Sequence, residues 1–144
     1  MEWLRAAVDY GLIGLMGALS VVAVAIAFER VWFYRRVKLE AYADKNLLEI
    51  DLTSKLHIIA TIGSNAPYLG LLGTVLGIML TFQNLGRQGF MDSSRIMTDL
   101  SLALKATAVG LFVAIPAIVL YNFLLRRVKV LLLKWEARDA HEGV

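Results

Sequence analysis

Three runs without a formal charge divide this 144-residue chain, and their lengths decide what it can fold into. Residues 10–28 are 19 uncharged residues (YGLIGLMGALSVVAVAIAF), residues 56–86 are 31, and residues 106–125 are 20 (ATAVGLFVAIPAIVLYNFLL). A helix needs about 20 apolar residues to cross the hydrocarbon core of a bilayer, so each run is long enough. Backbone polar groups in lipid must be satisfied within the segment, and three isolated strands cannot close a barrel, so each run is expected to be helical. Composition agrees, with 58% hydrophobic residues and a mean hydropathy of +0.64. A soluble domain of this size could not bury that much apolar surface. The expected fold is therefore an all-α integral membrane protein, one domain over residues 1–144, with transmembrane spans at about 10–28, 62–85 and 104–125. The second run would be about 46 Å long as a helix. It should continue past the membrane or bend, and Pro67 is a candidate kink.

Lys and Arg give a direction. The tail before the first run holds one, the segment from Glu29 to Lys55 six, the loop from Gly86 to Asp99 two, and the tail after the third run five. That alternation predicts an N-terminus outside and a C-terminus inside. The first run is read as a retained span, because a cleaved signal sequence needs a basic leader and here Glu2 and Asp9 outweigh Arg5. Residues 35–56 contain no Gly or Pro and carry mixed charge. They are expected to continue as helix into the cytoplasm, as is the tail KVLLLKWEARDAHE, so that helices 2 and 3 are both long and project inside. No Cys, phosphate-binding loop, intramembrane carboxylate pair or metal-ligand cluster is visible, and His57 and His141 stand apart. Enzyme activity, a metal and a cofactor are not expected, nor is nucleic acid as a partner.

Lipid-facing helices have no need of small and polar residues, yet the second run carries Gly70, Gly73, Thr74, Gly77 and Thr81 in stripes. The third carries Thr107, Gly110, Ala114 and Ala117 at helical spacing, with Pro116 between. Small residues let helices approach closely. The hydroxyls either bond backbone within such contacts or line a narrow polar path, and periodicity does not choose between these. Lys105 is the one formal charge set among the residues of a span. It either snorkels to the outer interface or serves as a pairing or docking charge at the outer entrance, and it lies about 200° around the helix from Thr107. Every Asp and Glu sits at or beyond a span boundary. Since threonine cannot titrate, any proton crossing the core here would need an acid supplied by another subunit.

The ordered patterns NAPYLGLLGTVLGIMLTFQNLG (residues 65–86) and LSLALKATAVGLFVAIPAIVLYNFLLRR (residues 100–127) resemble the ExbB/TolQ/MotA proton-channel family, the ExbB branch most closely. The resemblance covers about half the chain by motif. It implies a subunit of a bacterial inner-membrane machine that takes energy from the proton motive force and passes it, through a TonB-like protein, to outer-membrane transport of scarce nutrients such as iron-siderophores. It further implies a homopentameric ring around an ExbD-like single-span subunit that supplies the intramembrane Asp. On this resemblance Thr74 and Thr107 fall on pore-lining positions, and Gly70, Gly73, Gly77, Gly110 and Pro116 on packing positions. Two positions depart from the pattern: Leu102 stands where many relatives carry an acid, and Lys105 where they are usually apolar. The alternatives are a TolQ-like role in envelope integrity and a membrane scaffold that conducts nothing.

Overall fold

The computed structural model describes residues 2–143. Among the described residues it holds four helices: α1 (Glu2–Arg36), α2 (Lys45–Thr53), α3 (Leu56–Gln88) and α4 (Ser93–Glu142), with a 3-10 turn at Leu39–Ala41. Helices α1, α3 and α4 are each long and apolar enough to cross a membrane. At 1.5 Å per residue, the 50 residues of α4 extend about 75 Å, far beyond a core of about 30 Å. Both α3 and α4 run through their prolines, Pro67 and Pro116, as continuous helix.

The turn between α3 and α4 is short. Gly89, at a φ of 70°, takes the left-handed conformation that ends α3 and donates its N–H to the Leu85 carbonyl at 2.9 Å. The chain then reverses, and Arg95 and Ile96 donate back to the Asp92 carbonyl to open α4. The two helices pack antiparallel along most of α3. Level with them, α1 lies antiparallel to α3 and parallel to α4, as Arg5 beside Asp99 at one end and Val31 beside Phe123 toward the other show. Ala27, Ile59, Ala66, Ala114, Ala117 and Leu124 are among the side chains that close the core between the three.

The segment between α1 and α3 differs from the expected continuous helix. Helix α1 stops at Arg36, and a 3-10 turn and the nine-residue α2 fold back before α3 starts at Leu56. Asp44 caps α2, accepting from the Asn46 N–H at 2.9 Å. The far end of α2 is held by α1. Buried Arg30 donates to the Asp51 carbonyl at 2.8 Å, and Tyr34 donates its hydroxyl to the Leu52 carbonyl at 2.6 Å. These are end carbonyls that a nine-residue helix cannot satisfy itself, and a cation there also opposes the helix dipole. Lys55, at a φ of 68°, then breaks the chain direction before α3.

The segment is tied to α4 from the other side. Trp135 donates its indole N–H to the Tyr42 carbonyl at 3.1 Å, Arg138 pairs with Glu40 at 2.8 Å, and Lys45 pairs with Glu136. Tyr42 also donates to Asp51 at 2.6 Å, and this hydrogen bond to the carboxylate favours the protonated phenol and raises its pKa above the ordinary value. Helix α4 runs on past the third apolar run to Glu142, whereas α3 begins at Leu56, the first residue of the second run.

Candidate functional site

The site is built on the contact between α3 and α4, where side chains are absent by necessity. A Cβ added at Gly70 would lie 2.7 Å from the Ala106 carbonyl oxygen, and one at Gly110 would lie 2.6 Å from the Ala66 carbonyl oxygen. Backbone cannot yield at such distances, so both positions require glycine for the helices to touch. Gly77 meets the Ala103 methyl in the same way, and Gly73 meets Leu12 of α1 and Ala106. Pro116, by contrast, is exposed on the outer face of α4.

This close approach brings two hydroxyls together. Thr74 is 7% exposed and hydrogen-bonds the half-buried Thr107 across the interface. Thr74 Oγ1 also reaches the Ala103 carbonyl at 3.0 Å and the Gly70 carbonyl at 3.3 Å, and Thr107 Oγ1 reaches the same Gly70 carbonyl at 3.3 Å. Each hydroxyl has one proton to donate and lone pairs to accept. The link can be ordered in either direction. Thr107 donates to Thr74 while Thr74 donates to the Ala103 or the Gly70 carbonyl, or Thr74 donates to Thr107 while Thr107 donates to the Gly70 carbonyl. The pair is a polar link with its Thr107 end partly open at the surface of the chain and its Thr74 end sealed inside.

A second polar group lies toward the start of α1. Arg5 pairs with Asp99 of α4 at 2.8 Å and donates to Thr81 of α3 at 2.9 Å and to the Asp99 carbonyl at 3.4 Å. Thr81 is 1% exposed and Asp99 9%. The three side chains, one from each long helix, clasp the bundle at that end. Beside them is a cavity of about 350 Å³, lined by Glu2, Asp9, Asn84, Asp99 and Lys105 among others. Lys105 is exposed at its rim, and among the described residues it has no ion-pair partner. It is not part of the Thr74–Thr107 link.

The glycines and threonines were thus visible as stripes, but the clasp was not. A faint signal existed: Thr81 follows Thr74 by seven residues, and Asp99 precedes Ala103 by four, so both belong to the faces that α3 and α4 turn to each other. Arg5 carried no such mark, being 94 residues from Asp99. The buried Arg30 and Tyr34 were likewise hidden by their place in a basic cluster.

The pattern of the MotA/TolQ/ExbB proton channel family matches residues 32–137. The chain is 53% identical over 137 residues to the biopolymer transport protein ExbB of Aquifex aeolicus, covering 95% of this chain and 93% of that one. It is 56% identical over 129 residues to the putative biopolymer transport protein ExbB-like 2 of Helicobacter pylori, covering 90% and 86%. The Tol-Pal system protein TolQ of Pseudomonas aeruginosa is 45% identical over 74 residues, 51% of this chain and 32% of that one. Three membrane-length helices, a hydroxyl link across a glycine-tight contact and these matches over most of the chain have one common account: the chain belongs to the MotA/TolQ/ExbB proton channel family.

Proposed function

We propose that the chain is the channel and motor subunit of a TonB-type system in a bacterial inner membrane, using the proton motive force to drive outer-membrane transport of scarce nutrients. In this reading five copies form a ring with N-termini outside and C-termini inside. An ExbD-like single-span subunit sits in the ring and supplies the acid that the spans of this chain lack, and a TonB-like protein carries the work outward. The observation that carries the reading is the Thr74–Thr107 link, a polar pair that can reverse its hydrogen bonds inside an otherwise apolar wall. Thr107 would be the group that meets the partner acid and its water, and Thr74 the group that steadies Thr107 from behind.

The energetics suit such a step. A carboxylate is costly in a low-dielectric core and becomes tolerable when protonated or hydrated. Proton arrival would free the partner acid from the hydroxyl, and proton release would restore the attraction. One proton crossing 100 mV delivers about 2.3 kcal/mol, enough to bias rotation or tilt of packed helices without unfolding them. Thr61, Ser64 and Asn65 are exposed together on α3, each bonding a backbone carbonyl of its own helix, and in this reading they lie on a copy-facing surface. The match to a TolQ protein favours one second reading, the same motor serving envelope integrity through a different outer partner.

Proton flux into vesicles holding the chain with its single-span partner tests the reading. Thr107→Val should abolish flux while leaving the purified assembly unchanged in mass, and Thr107→Ser should keep most of it. Undiminished flux in the valine variant contradicts the proposal and leaves a scaffold.

A further inference from the structure

The face between α1 and α4 carries a feature that the threonine link and the ring do not use. Two contiguous hollows, about 220 and 270 Å³, share Val31, Phe123 and Leu124 and form one groove along the two parallel helices. Its floor, from Val24 and Phe28 across to Leu120, is wholly apolar. Its mouth is framed by Arg35 of α1 and Arg127 of α4, with Tyr34 between. Among the described residues neither arginine has an acidic partner, and the Tyr34 hydroxyl is already committed to the Leu52 carbonyl. Arg127 lies two residues past the third apolar run and Arg35 seven past the first, so the mouth lies beyond both runs and the floor mostly within them. Trp32, stacked under Arg36 at 4.4 Å on the same turn, marks that interface.

We propose that this groove binds one anionic phospholipid, its phosphate held between Arg35 and Arg127 and an acyl chain laid along the apolar floor. Charge complementarity chooses the occupant. Two guanidiniums at one mouth make a positively charged site, and guanidinium forks suit phosphate oxygens. A basic pocket between spans above an apolar slot matches an anionic lipid at both ends. A neighbouring copy of the chain seated in the slot would be joined by a crosslinker at Phe123, whereas a lipid there would be captured by it. The proposal rests on α1 and α4 spanning a membrane, not on proton conduction.

The purified assembly in detergent is titrated with phosphatidylglycerol, phosphatidylcholine or inorganic phosphate, and bound lipid is counted by intact mass. One phosphatidylglycerol per chain is expected, held about tenfold more tightly than phosphatidylcholine. Arg35→Gln with Arg127→Gln should remove that preference, and the charge-matched pair Lys38→Gln with Lys129→Gln should keep it, both at wild-type assembly mass. Val31→Trp should weaken both lipids. Inorganic phosphate should not displace the bound lipid, whereas displacement by phosphate alone would show an anion site without the acyl slot and overturn the proposal. So would equal retention of the two lipids, or a photo-crosslinker at Phe123 that joins two chains and captures no lipid.

Discussion

Arg5 reaches from the first turns of α1 to an acid on α4 and a hydroxyl on α3, and each partner is nearly sealed from solvent. Removing the guanidinium would leave the Asp99 carboxylate and the Thr81 oxygen in place with their strongest donor gone. Charged hydrogen bonds of this kind contribute about 1.5–3 kcal/mol each, and the cost of an orphaned partner is of the same size. Arg5→Gln should therefore lower the thermal unfolding midpoint of the detergent-purified protein by several degrees, and Arg5→Lys by less. Lys105→Gln, which touches only the rim of the neighbouring cavity, should leave it unchanged. An Arg5→Gln midpoint equal to wild type would show the clasp to be idle. At the same scale, Thr74 and Thr107 differ in access: only Thr107 is open enough to meet a partner.

The α3–α4 contact behaves as a unit because its closest points are backbone on backbone. Gly110→Val would drive a branched side chain into the Ala66 carbonyl, and overpacking of this kind costs about 1–3 kcal/mol or pushes the helices apart. The expected result is loss of the Thr74–Thr107 link with weakened assembly, seen as a lower unfolding midpoint and a smaller particle. Gly86→Ala, with nothing within 4 Å, should match wild type; equal behaviour of the two variants would contradict the packing account. The three long helices were legible because length and lack of charge in lipid leave little choice of structure. Residues 37–55 were not. Their break into a 3-10 turn and α2 depends on Arg30, Tyr34 and Trp135, which reach them from other helices. A sequence window of helix-compatible residues holds no trace of those partners.

Taken whole, the protomer leaves most of its membrane surface uncovered. Of the residues in the most apolar stretch of α1, 17% are buried, and in those of α3 and α4 28%. Lipid accounts for the apolar part of that surface, with Phe28, Phe112 and Phe123 projecting outward. Ser64 and Asn65 are also exposed on α3, their side chains bonded to the Thr61 carbonyl of their own helix, and Thr107 on α4 is partly open. In the proposed reading these residues face an enclosed pore made by several copies. In the same reading the acid that the spans lack comes from a partner helix. The central claim is therefore an assembly claim, and the native mass of the detergent-purified chain, alone and co-expressed with a single-span partner bearing one mid-span Asp, tests it most directly. The account predicts a closed ring of about five copies that retains the partner helices. A monomer or dimer in both preparations would leave no central pore and would contradict it.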